Sequence, residues 1–306
     1  MTNIPILTPD WQDYELLDSG DSRKLERFGK YLIVRHEPKA WWRPVLPERD
    51  WARAHATQDE SGRLTISPKL PASWPLKLDL PGQRDGRAVV LEARVSETSR
   101  HIGLFPEQAP HWRLLSEVCA QFPADGPRPR LLNLFGYTGA ASLAAQAAGF
   151  AATHVDASKP AIAWAKRNQE LTSQVCPDLK DRPVRFLLDD VGKFVAREKR
   201  RGNRYEAILL DPPSFGRGPN REVWKVESMV RELLCDCREL LSDRARLLLL
   251  TMYNIEASAL MLGNLLDDVL RGLPGRVEVG ELAVAHTAPG AEARFLPRSL
   301  YARWRA

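Results

Sequence analysis

From Arg130 onward, short apolar runs alternate with longer amphipathic stretches. Leu131–Phe135, Ala152–Val155, Val184–Leu188, Ala207–Leu210 and Ala245–Thr251 read as strands, the first of them buried. Between them, Ala140–Ala148, Lys159–Leu171, Val191–Arg200, Glu222–Leu241 and Ser258–Leu273 read as helices; the first is rich in Ala and stopped by Gly149. Strands and helices in strict alternation predict βαβ units, hence a parallel sheet with right-handed crossovers. Val277–Ala285 and Phe295–Trp304 fit a closing antiparallel pair, interrupted by Pro297.

The preceding part of the chain has another rhythm. Short β-like stretches, Tyr31–Arg35, Arg63–Ser67, Leu76–Leu80 and Ala88–Val95, lie among turn formers such as Pro38, Pro44, Pro47, Pro68, Pro71, Pro75, Pro81-Gly82 and Asp85-Gly86. A helix is predicted over Pro110–Phe122, and the turn-rich stretch Pro123–Pro129 separates it from the first strand of the alternating region. The expected fold class is α/β: a Rossmann-like, mostly parallel sheet over residues 101–306, with an N-terminal β-rich module over residues 1–100.

Composition narrows the field. In 306 residues, 44% are hydrophobic and 27% charged, which suits a globular protein and excludes a fibrous or wholly disordered one. No apolar run approaches the ~20 residues of a bilayer span, and Met1–Asp18 has no leader pattern, so no membrane association is expected. Four cysteines make no disulfide scaffold. Cys235 and Cys237 have no second pair at ligand spacing, so a reduced cytoplasmic protein without a metal is expected. The net charge is +5, but residues 1–124 hold 17 basic and 17 acidic side chains, so the excess lies in the second part. That excess favours a polyanionic partner without requiring one.

In an open α/β sheet, ligands bind beyond the carboxyl ends of the strands, so the residues there carry the chemistry. After the first strand comes Gly136-Tyr137-Thr138-Gly139, a turn that lets the backbone approach a ligand and aims a helix N-terminus at it. Its G-x-x-G spacing fits the dinucleotide fingerprint poorly, which speaks against a nicotinamide enzyme. After the second strand comes Asp156, either an acceptor for ribose hydroxyls or a helix cap. After the third come Asp189 and Asp190; spacing does not say which would bind an exocyclic amine and which would cap. After the fourth comes Asp211-Pro212-Pro213-Ser214-Phe215. The prolines stiffen the loop, a carboxylate and a proline carbonyl together can hold a planar amine, and Phe215 offers a ring to stack on it.

These residues resemble the class I S-adenosylmethionine-dependent methyltransferases. Asn133–Gly139 (NLFGYTG) with Asp211–Phe215 (DPPSF) is most similar to the bacterial large-subunit rRNA enzymes that modify cytosine C5 or guanine N7. The resemblance implies S-adenosyl-L-methionine as cofactor, held by Phe135, Gly136, Tyr137, Thr138, Gly139, Asp156, Ala157, Ser158 and one of Asp189 and Asp190. It implies Asp211, Pro212 and Phe215 as catalytic residues. It extends to His101–Gln108 (HIGLFPEQ), which would close over the cofactor with Phe105 and Gln108 at its border. One departure matters. Cytosine C5 methylation needs a thiolate nucleophile, and the segment after the fifth strand, Leu250–Asn254, has no cysteine. Cys235 and Cys237 fall mid-helix, as structural residues do. The expected reaction is therefore methylation of RNA, rRNA by resemblance, at a base nitrogen. Two rivals are a methyltransferase of a protein or small-molecule amine and a non-catalytic RNA-binding relative.

Several cations bear on the partner. Arg217, Arg221 and Lys225 follow the DPPSF loop as phosphate contacts, whereas Arg197, Lys199, Arg200, Arg201 and Arg204 fall between a helix and a strand start, on a solvated face away from the site. In the N-terminal module Arg23, Lys24, Arg27 and Lys30 alternate with Phe28 and Tyr31, and Trp41-Trp42 follow. Such a mixture either contacts nucleic acid or supplies the aromatics of a small β core.

Overall fold

The structure, a computed structural model, describes residues 4–80, 87–95, 101–217, 223–291 and 294–306. The second part of the chain forms a sheet of β1 (Arg130–Leu134), β2 (Ala151–Asp156), β3 (Arg185–Leu188), β4 (Ala207–Leu210), β5 (Leu247–Met252), β6 (Arg276–Ala285) and β7 (Phe295–Arg305). Its helices are α1 (Ala140–Ala148), α2 (Lys159–Val175), α3 (Val191–Arg200), α4 (Val226–Glu239) and α5 (Ala259–Val269). The spatial order is β3-β2-β1-β4-β5-β7-β6, with Ile6–Leu7 added in parallel on the outer side of β6. Strands β1 to β5 are parallel and β7 is antiparallel to both neighbours. The order reverses between β1 and β4, which puts the ligand crevice at their carboxyl ends.

Both faces of the sheet are covered, and the strands show why. Leu131, Leu209 and Leu249 enter one apolar layer, while Leu132, Ile208, Leu210, Leu248 and Leu250 enter the other. Successive side chains point to opposite faces, so a strand covered on both sides reads as an unbroken apolar run. The expected mostly parallel α/β sheet is thus borne out, as is the closing antiparallel pair. One predicted element divides differently. The helix expected from Glu222 begins at Val226, because Val223–Lys225 pairs with Phe215–Arg217 as a short hairpin. The Trp224 indole fixes it, donating to the Pro213 carbonyl (2.7 Å) and packing on the Phe135 ring.

The N-terminal part contains a five-stranded sheet: Tyr14–Gly20, Arg23–Phe28, Tyr31–His36, Ala56–Gln58 and Leu64–Ile66. A separate hairpin, Ser73–Asp79 with Ala88–Arg94, lies along α2. There the Val90 amide donates to Thr172 Oγ1 (3.0 Å) and the Glu92 amide to Asn168 Oδ1 (2.8 Å). Asn168 Nδ2 in turn donates to the Thr138 carbonyl (2.9 Å), so one buried amide braces both the hairpin and the loop after β1. The Pro81-Gly82 and Asp85-Gly86 turn signals and Arg221 lie outside the described residues.

Candidate functional site

The loop after β1 is held in an unusual path. Phe135 (φ 57°), Tyr137 (φ 50°) and Gly139 (φ 87°) all take left-handed backbone angles. Two of these are bulky residues in a region that costs them energy, so the surroundings must enforce the path. Below the loop, a Cβ on Gly136 would stand 2.4 Å from the His154 ring. That ring sits on the Ser142 hydroxyl (3.0 Å), and burial drives its pKa down to about 3. Above it, Thr138 Oγ1 donates to the Gly103 carbonyl (2.5 Å), which ties the loop to the His101–Gln108 segment.

At the end of β2, Asp156 Oδ2 accepts from the Tyr137 amide and Oδ1 from the Ser158 amide, both at 2.8 Å. The helix-cap role belongs instead to Ser158, whose hydroxyl accepts from the Ala161 amide. Burial raises the Asp156 pKa, against the two amide bonds. At the end of β3 the two aspartates separate. Asp190 caps α3 and lines the cleft, whereas Asp189 is ion-paired with Arg197 and lies outside the lining.

Asp211, at the end of β4, has both carboxylate oxygens engaged. Thr251 Oγ1 donates to Oδ1 (2.5 Å) and Gln108 Nε2 to Oδ2 (3.3 Å). Burial pushes its pKa up to about 7; the Thr251 bond opposes the rise and Glu107 adds to it. Pro212 is buried beneath it, and the Pro213 carbonyl is taken up by Trp224.

Two sizeable cavities meet at Asp211. A cavity of about 660 Å³ runs from Asp156, Ala157, Ser158 and Asp190 past Phe135 and Tyr137 to Asp211 and Trp224. A second, of about 390 Å³, opens between Asp211, Tyr253, Arg298 and the N-terminal sheet. Asp211, Phe105, Tyr253 and His101 line both. Gly136, Thr138 and Gln108 face a smaller space behind Asp211. The structure therefore gathers most of the expected site, including Phe105 and Gln108.

Some expected residues stand apart. Gly139 does not face these spaces, and its place is the N-terminus of α1. Phe215 does not join Asp211: it opens the hairpin strand, is 52% exposed, and leaves its neighbour Gly216 against the cavity. The rings beside Asp211 are Tyr253 and Phe105 instead, with centroids 6.2 Å apart. Tyr253 and Trp224 were not singled out from the sequence. For Tyr253 the signal was there, since it directly follows β5, where the same strand-end rule applies. In the basic run, Arg197 and Lys199 are paired with Asp189 and with Asp236 and Glu239, and Arg200, Arg201 and Arg204 are exposed. Among the described residues no group of three or more His, Cys, Asp or Glu could hold a metal ion, and no helix is long and apolar enough to cross a membrane.

A tight glycine-containing loop at the sheet's switch point, acidic side chains at successive strand ends and an enclosed cleft between them define a nucleoside-binding Rossmann-like domain. No family model matches the chain. A solved S-adenosylmethionine-dependent methyltransferase from Agrobacterium tumefaciens is 42% identical, covers 99% of this chain and 94% of its own, and superposes with a TM-score of 0.89. The chain belongs to the class I S-adenosylmethionine-dependent methyltransferases, and S-adenosylmethionine is its cofactor. Among curated proteins, the ribosomal RNA large subunit methyltransferase K/L of Hahella chejuensis is 38% identical over 115 residues, 37% of this chain and 15% of that protein. The ribosomal RNA large subunit methyltransferase K of Neisseria meningitidis is 31% identical over 120 residues, 39% of this chain and 31% of that protein. The chain thus spans well under half the length of these curated relatives.

Proposed function

We propose that this methyltransferase modifies a base of RNA, of the large-subunit rRNA class, at a nitrogen rather than at cytosine C5. The observation that carries this reading is Asp211, which stands where the two cavities meet with no thiol beside it. Cys119 and Cys235 are half-buried, Cys176 and Cys237 are buried, and none lines either cavity. Burial pushes the Cys119 thiol up to about 11 and Cys237 still further, the opposite of what a nucleophile needs. A nitrogen acceptor already carries a lone pair and requires no covalent intermediate.

The residues fit the cofactor. The larger cavity has the size of a nucleoside site, and the loop over Gly136 leaves no room for a side chain between it and His154. In this reading Asp156 accepts from the ribose hydroxyls, Asp190 from the adenine amine, and Val191 lies along the adenine face. The backbone of Phe135–Thr138 and the start of α1 at Ala140 receive the amino-acid end. S-adenosylmethionine supplies an electrophilic methyl group bound to sulfonium. The protein's task is to align the acceptor nitrogen about 3 Å from that carbon and in line with the departing sulfur. Ionised Asp211 accepts a hydrogen bond from the acceptor's N–H, turns the lone pair toward the methyl group and takes the N–H proton as the nitrogen is methylated, a proton that its buried carboxyl, pushed up to about 7, can hold. Tyr253 and Phe105 hold the ring flat, taking the place expected of Phe215. The β-rich module over residues 1–100 recognises the substrate, and the setting is cytoplasmic.

Mass spectrometry of rRNA nucleosides from cells with and without the gene tests the proposal. Loss of one N-methylated base is expected. Loss of 5-methylcytosine would refute the choice of atom, and an unchanged nucleoside profile would refute the choice of acceptor.

A further inference from the structure

The second cavity has walls that come from both parts of the chain, and its charge is balanced internally. Lys24 pairs with Glu37 (3.2 Å) and Glu26 (3.8 Å), Arg35 with Glu26 (2.6 Å), and Arg298 with Glu37 and Glu107. Five of the six are buried and Arg298 is partly so, which is tolerable only because each meets an opposite charge. A phosphate drawn inside would meet Glu37 and Glu107, and an ammonium group would meet Arg298 and Lys24. The interior therefore suits a neutral ligand. Beyond the ion pairs, Gln58, Asn254 and Ser299 offer donors and acceptors, and the Phe105 and Tyr253 rings flank Asp211. Hydrogen-bonding groups beside two aromatic rings match the edge and face of a nucleobase.

The rim has a different character. Pro38 and Lys39 line the mouth. Two residues on, Trp41 is 89% exposed, yet it is not loose: its Nε1 donates to the Pro38 carbonyl (2.7 Å) and its amide to the Lys39 carbonyl (3.1 Å). Lys39 Nζ reaches the Arg298 carbonyl (3.2 Å), which sets a cation beside the opening. An indole held in place with its face in water is a stacking platform.

We propose that this cavity is the acceptor compartment, that a single flipped-out base enters it without its phosphates, and that Trp41 stacks on a neighbouring base of the same single-stranded RNA segment while Lys39 meets the backbone. This inference rests on the RNA-base reading above and extends it to residues of the N-terminal module. The inner end of the compartment is Asp211, so a base that reaches it leaves the strand's next nucleotide at the rim. Flipping costs a few kcal/mol, and a stacked neighbour offsets part of it.

Two variants of the full-length enzyme test the idea, with large-subunit rRNA from cells lacking the gene as substrate. Trp41→Ala is expected to raise the KM for RNA about 5- to 100-fold, the range of base–aromatic stacking, with a much smaller effect on kcat and on cofactor affinity. Trp41→Phe should restore most of the loss. Ser299→Phe narrows the compartment from β7 and should abolish methyl transfer; Ser299→Ala should not. Calorimetric binding of S-adenosylmethionine shows that Ser299→Phe still folds. If it does not fold, Trp41 alone decides. Wild-type activity on RNA with an unchanged KM in Trp41→Ala overturns the rim assignment, and full activity in Ser299→Phe overturns the compartment. A wild-type enzyme that ignores RNA but methylates protein removes the reading beneath both, an outcome that the variants cannot mimic.

Discussion

Asp211→Asn has a consequence for stability whose sign follows from the site. On folding, the pKa of this carboxyl rises from 3.8 to about 7, chiefly through burial, against the Thr251 bond and with help from Glu107. The native state then binds its proton more tightly than the unfolded chain. Between about pH 4 and pH 7 the native chain holds more protons, so its stability falls as pH rises through that window and stays low above it. At ~1.4 kcal/mol per pH unit, a window of about three units sets a ceiling of about 4 kcal/mol. The cleft is partly open to solvent, which screens the charge and brings the expected figure to about 2 kcal/mol. Asn keeps the shape and removes the titration. Its amide can face Gln108 Oε1 if Gln108 turns over, because His111 is neutral, its pKa driven down to about 3 by burial and Arg303, and can accept in place of donating. Thermal melts of both proteins from pH 4 to pH 8 should show near-equal stability at pH 4 and an advantage of about 2 kcal/mol for the Asp211→Asn variant at pH 8, together with loss of methyl transfer at every pH. A difference that does not change with pH, or a variant less stable at pH 8, refutes the reasoning. The stability given up at Asp211 would be the cost of a carboxylate placed where substrate needs it.

Three further outcomes are expected. Asp156→Ala removes the acceptor of two loop amides (2.8 Å each) and should weaken S-adenosylmethionine binding at least tenfold by calorimetry, while Asp211→Ala cuts turnover and leaves that affinity nearly unchanged. Gly136→Ala drives a methyl group into the His154 ring and should cost about 1–3 kcal/mol in chemical denaturation as well as cofactor affinity. Tyr205→Phe strips buried Glu198 of a 2.6 Å donor far from the cleft, so denaturant titration should show a loss of about 1–3 kcal/mol with kcat intact.

The sheet was legible in the sequence because β1, β4 and β5 are buried on both faces and read as unbroken apolar runs. With a parallel α/β sheet expected, the strand-end rule led to Asp156, to the pair Asp189 and Asp190, and to Asp211 without any knowledge of a ligand. The strand Arg23–Phe28 escaped for the opposite reason. Two of its buried positions are Lys24 and Glu26, 4% and 1% exposed, which pair with each other, with Arg35 on Tyr31–His36 and with Glu37 just beyond it. A strand that buries ion pairs looks like a surface stretch until its partners are known. Asp189 and Asp190 were indistinguishable because the distinction is one of backbone angle: extended ψ (131°) at residue 190 makes it the cap and turns it to the cleft. Phe215 was expected to offer its ring beside Asp211 because the stretch between it and the helix expected from Glu222 gave no strand signal, whereas Phe215–Arg217 pairs with Val223–Lys225 and Trp224 closes the hairpin.

The short strand at Ile6–Leu7 has a bearing on how the molecule is assembled. Its partners are Glu281 and Leu282, and Pro5 accepts from the Glu281 amide where Gly280 leaves space for it. On the ribosome this segment emerges about 270 residues before its mate, a delay of tens of seconds at ordinary synthesis rates. Until then Ile6–Leu7 has no strand to pair with, although the Ala88–Arg94 strand already has its partners Asn168 and Thr172 on α2. A nascent protein stalled short of residue 281 leaves the backbone of Ile6–Leu7 without its mate and open to pairing with a neighbouring chain.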